Sequence, residues 1–268
     1  MRSLAYALLH HDGENPARAD HDADRPWRAN RELAARFAED WTAGKEDDKA
    51  TRELLATYRD GSADQACAQV ADMLARGVAP QSIWDATFVG SGELLVRQPG
   101  IVALHAMTST NALRYAFETT ADETVRRRLL LQNVAFLPLF REAMRSRGDV
   151  KSLSIEDLRA ETVSGDGALA VAEIFDIAGN DRMAAARRIM GYSQSHTEPT
   201  DFLERARLLI FLKGNNSHDY KFSSAVLEDY QHVSPAWRPR YLATTIFNLR
   251  TSADKDNALV ERARAALA

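Results

Sequence analysis

The sequence contains very little cysteine and no long apolar run. Cys67 is the single cysteine among 268 residues, so neither an intramolecular disulfide nor a thiolate metal site can form. No run approaches the roughly eighteen apolar residues that a membrane span requires. The apolar stretch 4–9 is also too short for the core of a signal peptide. These absences predict a cytoplasmic protein without a membrane partner.

Glycine and proline are scarce as well, with 13 and 8 residues, and no segment shows the alternating pattern of a half-buried strand. Hydrophobic residues make up 45% and charged residues 27% of the chain, a composition typical of globular proteins. The 34 basic and 38 acidic residues give a net charge of −4, which leaves no broad cationic surface for a phosphate backbone. We therefore predict an all-α protein, a multi-helix bundle of helical hairpins, that does not bind nucleic acid.

Helical periodicity recurs along most of the chain. Residues 12–30 are polar and aperiodic and predict a long loop, which is a candidate lid. After it, Leu33, Phe37 and Trp41 recur at a spacing of four, which indicates a helix. Further helices are predicted from cap and stop signals, and they cover residues 50–59, 62–75, 82–96, 99–116, 122–147, 166–178, 181–190, 200–213, 217–230 and 236–249.

We predict one helical domain over 1–268, with two halves, 1–148 and 166–268, that repeat each other weakly. Aligning RQPGIVALHAMTSTNAL with LKGNNSHDYKFSSAVL places His105 opposite His218. Duplicated helical hairpins often pack about a pseudo-twofold axis, where matching positions converge. The alignment therefore predicts that these two imidazoles lie within reach of one ion.

His105 lies on an apolar helical stretch, VALHAMTSTNAL, with Thr108 and Ser109 one turn further on and Asn111 beyond them. A buried imidazole needs a partner for each nitrogen, and hydroxyls and amides on the same helix are suitable. No compact motif such as HExxH is present, so a metal site would be assembled from distant helices. His105 is either a metal or catalytic residue or a core histidine hydrogen-bonded to a neighbouring helix.

His218 opens the most polar helical segment of the chain, SHDYKFSSAVLEDYQHV. Lys221 follows one turn later, so both side chains can face the same pocket. A charged lysine would oppose a bound cation, so Lys221 is deprotonated, carbamylated, paired with Glu228 or outside the pocket. Lys213, which ends the preceding apolar segment, is interpreted as a helix cap or a snorkelling side chain.

The segment LHAMTSTNAL, in which Thr108 and Ser109 follow His105, resembles the H-x-x-T-S segment of questin oxidase-like proteins, and residues 99–148 carry the similarity. These proteins are helical oxygenases of anthraquinone-type polyketides, and one member holds non-haem iron with several histidines and a carboxylated lysine. The resemblance implies that His105 is an iron ligand supported by Thr108 and Ser109. Further candidate ligands, chosen by residue type alone, are His218, Lys221, His10 and His11.

The leading hypothesis is a metal-dependent oxidoreductase, a mononuclear non-haem iron oxygenase acting on an aromatic or polyketide-like small molecule. His105, His218 and either His10 or His11 would hold Fe(II) and leave positions open for dioxygen and substrate. Lys221, Tyr115 and Tyr220 are the candidate catalytic residues, and Trp84 would line the pocket with the two tyrosines.

Several alternatives stay open at this point. Neutral imidazoles suit iron, copper and zinc about equally, so another divalent metal or haem can replace the iron that the resemblance implies. The histidines of a noncatalytic helical scaffold or binding protein would be ordinary core residues, and a metal-dependent hydrolase or lyase would use the same ligands. The sequence also leaves homodimer formation open.

Overall fold

The computed structural model describes residues 20–163, 165, 167–196 and 198–268. In these residues the chain forms a bundle of α-helices, with no strand beyond an isolated bridge between Lys45 and Val78. The prediction of an all-α bundle of hairpins is confirmed. The helices are α1 (Arg25–Ala35), α2 (Asp48–Asp60), α3 (Ala63–Ala75), α4 (Pro80–Arg97), α5 (Ile101–Thr119), α6 (Glu123–Arg145), α7 (Gly167–Ile177), α8 (Arg182–Ser195), α9 (Thr200–Lys213), α10 (Ser217–Asp229), α11 (Arg238–Thr245) and α12 (Ala258–Leu267).

Local capping chemistry sets several of these boundaries where the sequence predicts them. Ser62 accepts a hydrogen bond from the backbone N–H of Gln65, and the Gln65 side chain accepts one from the backbone N–H of Ser62. This capping box starts α3, and Gly77, with a φ of +83°, turns the chain after it. The Asp122 side chain caps the start of α6, because its carboxylate accepts a hydrogen bond from the backbone N–H of Val125.

The first described helix differs from the prediction at both ends. It begins at Arg25, inside the predicted loop 12–30, because Pro26 lies in its first turn, where the fixed φ of proline favours a helix. It ends at Ala35, so Phe37 and Trp41 do not continue its apolar face. Both side chains are nevertheless buried. The spacing of four therefore does not come from one helix. Phe37 and Trp41 lie in turns after α1 and reach the core from there.

Several other helix boundaries also differ from the prediction. Ser82 does not cap α4 but lies within it, and its hydroxyl accepts a hydrogen bond from the backbone N–H of Asp47 at 2.8 Å. α6 continues through Pro138 to Arg145. α11 is shorter than the predicted helix 236–249, and α12 was not predicted.

Helix α4 lies at the centre of the core, since every residue in it except Gln81 and Arg97 is buried. It packs against α2, α5, α6 and α11, and α5 packs in turn against α6 and α10. One cluster of buried apolar side chains extends from Ala34 to Leu249. None of the helices in the described residues is long and apolar enough to cross a membrane. This packing places α10 beside α5, and the two predicted histidines lie on these helices.

Candidate functional site

The structure brings His105 and His218 together on neighbouring helices, α5 and α10. Their ring centroids are 5.6 Å apart and the ring planes meet at 68°. The His105 ring is partly buried and His218 is exposed, so the pair opens to solvent. Further along the same two helices Asn111 contacts Asp229, which shows that α5 and α10 run in the same direction. We call the contact between these helices the α5–α10 seam.

The N-terminus of α10 is firmly held, and this fixes the position of His218. The Asn216 side chain accepts hydrogen bonds from the backbone N–H groups of His218 and Asp219 at 2.9 and 3.2 Å. The Asp219 carboxylate accepts from the N–H of Asn215 and forms an ion pair with Arg250. Both histidines lie in the first two turns of their helices, at the positive end of each helix dipole.

The local environment also keeps the His105 ring neutral. Burial lowers the pKa of His105, and the nearby charges of Lys221 and His218 lower it further. Among the described residues, neither ring makes a hydrogen bond, and the Thr108 hydroxyl contacts the backbone carbonyl of His105 rather than its ring. A neutral imidazole without a hydrogen-bond partner has a lone pair available for a ligand.

Lys221 is exposed on the side of α10 that its spacing from His218 predicts, close enough for its charge to act on His105. The predicted alternative of a Lys221–Glu228 pair is wrong, since the two residues are two turns apart on one helix. Glu228 instead accepts a hydrogen bond from the Asn111 side chain at 3.3 Å. Lys213 does not cap its own helix, because its ammonium bonds the carbonyl of Asp254 and pairs with Asp256.

The groups expected to support the His105 ring have other partners. The Thr108 hydroxyl donates to the carbonyl of its own helix at 3.5 Å. The Asn111 side chain donates to the Asp229 carboxyl at 2.8 Å, away from the histidines. In the described part of the chain no hydrogen bond connects Ser109 to either imidazole. The structure therefore brings His105 and His218 together without the supporting contacts that the resemblance implies.

A polar cluster that the sequence did not predict closes the other end of the seam. Asp229 is only 1% exposed, and its two carboxyl oxygens accept from Asn111 at 2.8 Å and from the hydroxyl of Tyr241, on α11, at 3.3 Å. Burial raises the pKa of Asp229 to about 8, against the lowering effect of these hydrogen bonds. Burial therefore favours the uncharged carboxyl of Asp229, which joins three helices.

The predicted aromatic residues do not form one pocket with the histidines. Trp84 is wholly buried against Phe88 and Phe117, so the prediction that it lines a substrate pocket is wrong. Tyr115 is 62% exposed. The Tyr220 hydroxyl donates to the carbonyl of Gly214 at 2.9 Å, and its ring lines a cavity of about 590 Å³ between α9 and α10.

The donor set for a metal is incomplete in the described residues, which contain no group of three or more His, Cys, Asp or Glu side chains that could hold an ion. His10 and His11, the predicted further ligands, lie outside these residues. Cys67 is buried, and burial raises its thiol pKa to about 12.

Comparison of the chain with protein families, with curated proteins and with solved structures finds no match in any of the three.

Proposed function

We propose that the protein is a metal-dependent oxidoreductase in which His105 and His218 bind one divalent transition-metal ion at the open end of the α5–α10 seam. The observation that carries this proposal is the 5.6 Å separation of the two ring centroids. With metal–nitrogen bonds of about 2.1 Å, two imidazoles on the same ion have centroids roughly 5 Å apart. Small rotations of the partly buried His105 ring and the exposed His218 ring would reach that distance.

The lowered pKa of His105 supports the same proposal. Only neutral imidazoles bind a metal, and burial together with the positive charges around it lowers the pKa of His105. The Lys221 ammonium opposes a bound cation and reduces its affinity, unless the amine is carboxylated and becomes a ligand itself. His10 and His11 are the other candidates for a third ligand.

The oxygenase part of the proposal depends on the similarity of LHAMTSTNAL to questin oxidase-like proteins. Iron held by two histidines and a further ligand would supply dioxygen activation at its open positions. The expected substrate is an aromatic or polyketide-like small molecule. The chain's own contribution is to hold the imidazoles of His105 and His218 at the mouth of the seam, with Tyr220 and Tyr115 exposed on the same two helices.

Metal binding by protein prepared without a histidine tag tests the proposal directly. Elemental analysis and anaerobic calorimetry with Fe(II) or Zn(II) should show about one ion per chain, and His105→Ala or His218→Ala should weaken binding at least tenfold, since even outer-shell changes cost about 10–100-fold. His21→Ala is the matched control, because His21 is exposed and outside the seam. Unchanged binding in both seam variants, or no binding at all, would rule the proposal out.

Oxygen uptake distinguishes the reaction classes once a metal is bound. Fe(II)-loaded protein incubated with phenolic substrates should consume dioxygen, and the two seam variants should not. Metal binding at His105 and His218 without oxygen uptake, but with hydrolysis or elimination, would assign the site to a hydrolase or lyase instead.

A second candidate is a noncatalytic helical binding protein. Two observations favour it: the described residues supply no third metal ligand, and the Lys221 charge acts on His105. In that case the elemental analysis finds no stoichiometric metal in the wild-type chain, and His105→Ala changes neither metal content nor folding.

A further inference from the structure

Apolar side chains line a groove between α9 and α10, and some of them are exposed to solvent. Ile210, Phe211, Tyr220 and Leu227 line it, and its volume is about 590 Å³. Phe211 is 69% exposed, and Leu208, one turn earlier on α9, is 48% exposed. Contiguous exposed apolar side chains on this scale mark interaction sites more often than inert surface.

The groove also carries one charge of each sign at its edge. Arg207 and Glu228 both line it, and in the described part of the chain neither forms an ion pair. Among the described residues, the Glu228 carboxylate accepts one hydrogen bond, from the Asn111 side chain at 3.3 Å. An apolar strip with an unpaired cation and an unpaired anion beside it can satisfy both charges against a rotated copy of itself.

We propose that this groove is the interface of a homodimer, in which Phe211 of each copy enters the groove of the other. A twofold contact presents the same patch on both copies, so the patch must be complementary to itself. Arg207 of one copy then faces Glu228 of the other, twice in each dimer. The exposed aromatic ring is the kind of anchor that dominates interface energetics.

The extent of the apolar surface favours a second copy over a small molecule. Leu208 does not line the cavity, so a ligand that filled the cavity would leave Leu208 in water. A helix of a second copy laid along α9 covers Leu208 and Phe211 together, because they are three residues apart and lie on one face. The histidine pair lies on a different side of α10, so the dimer does not depend on metal binding.

Sedimentation velocity of the full chain across a micromolar concentration range tests this interface. We expect a dimer for the wild type and a monomer for Phe211→Asp, whereas Leu267→Asp, which introduces the same charge at an exposed leucine at the last residue of α12, should stay dimeric. A wild type that is monomeric throughout, or a dimer that Phe211→Asp leaves intact, overturns the proposal.

Charge reversal provides a second test that does not depend on Phe211 or on the stability of its variant. Arg207→Glu should weaken dimerisation about tenfold or more, because like charges then meet twice. Adding Glu228→Arg to Arg207→Glu recreates the opposite pair and should restore the dimer. A double variant that is as weak as the single one contradicts the assigned pairing and overturns the proposal. Circular dichroism confirms that every variant compared is folded.

Discussion

The two ends of the α5–α10 seam differ in how their polar groups are satisfied. At the closed end, both carboxyl oxygens of Asp229 receive hydrogen bonds, one from Asn111 and one from Tyr241, and the group is almost inaccessible to water. At the open end, His105 and His218 contact each other and receive no hydrogen bond from the described residues. The same two helices therefore carry one polar cluster that is hydrogen-bonded within the protein and one that is not, among the described residues.

Burial explains why these clusters serve different purposes. A buried polar group without a partner costs about 1–3 kcal/mol, so the closed end is stable only because every member of the cluster bonds another. The open end has no such requirement, since water satisfies the two rings in the absence of a ligand. The stability of the fold does not require His105 and His218 to bond other groups of the protein. Both side chains therefore remain available for binding.

Removal of the Asp229 carboxyl should give the largest difference between the two ends, measured as a change in the free energy of unfolding. Asp229→Ala leaves the buried Tyr241 hydroxyl without its partner and removes the 2.8 Å hydrogen bond from Asn111, and we expect a loss of about 2–4 kcal/mol in the free energy of unfolding. His218→Ala, at the exposed end, should change it by less than about 0.5 kcal/mol. Urea unfolding of both variants in the absence of metal measures the difference.

Asp229→Asn is the control for that comparison, because an amide can accept from Asn111 and donate to the Tyr241 hydroxyl. It should keep most of the stability that Asp229→Ala loses. Equal losses for Asp229→Ala and His218→Ala would show that the two ends do not differ in the way the contacts indicate.

The pH dependence of stability gives the next largest effect. The pKa of Asp229 rises from the ordinary 3.8 to about 8 on folding, so between these values the folded chain binds more protons than the unfolded chain. Stability is then greatest at acidic pH and falls as the pH rises through this window, by at most about 1.4 kcal/mol per pH unit. Tyr241, whose pKa burial raises further, stays protonated throughout.

Asp229→Asn should flatten this slope, because the amide does not titrate. Unfolding measured in parallel at several pH values between about 4 and 8 should therefore show the variant gaining on the wild type as the pH rises. Glu228 and Arg114, the other charged groups that act on Asp229, are present in both proteins and cancel in the comparison. Parallel curves for the two proteins would disprove the assigned protonation state.

Features that depend on a few neighbouring residues could be predicted from the sequence. The Ser62–Gln65 capping box and the Asp122 cap are local chemistry, and both start helices where expected. The ends of α1 could not be located, because Phe37 and Trp41 keep a helical spacing while reaching the core from turns. A spacing of four can come from one helix or from turns that pack on the core, and only the tertiary structure distinguishes the two.

The same division applies to the site. Alignment of the two halves predicts that His105 and His218 lie together, and the structure places their rings in contact. The cluster of Asn111, Asp229 and Tyr241 joins three helices, and no short motif describes such a contact. One signal was present: Asp229 is three and four residues beyond Val226 and Ala225, so it lies on the buried face of α10.

The smallest predicted effect concerns the charge at the edge of the open end. Lys221→Gln removes a positive charge that lowers the pKa of His105, so that pKa should rise in an NMR titration. Lys255→Gln, which removes an exposed lysine elsewhere, should leave that pKa unchanged.

The same variant determines the role of Lys221 in metal binding. If Lys221 is an ordinary ammonium group, its removal relieves repulsion and should strengthen metal binding by a few-fold. If the amine is carboxylated and binds the ion, Lys221→Gln removes a ligand and weakens binding instead. Only the first result agrees with an open end in which His105 and His218 alone, among the described residues, hold the ion against a nearby positive charge.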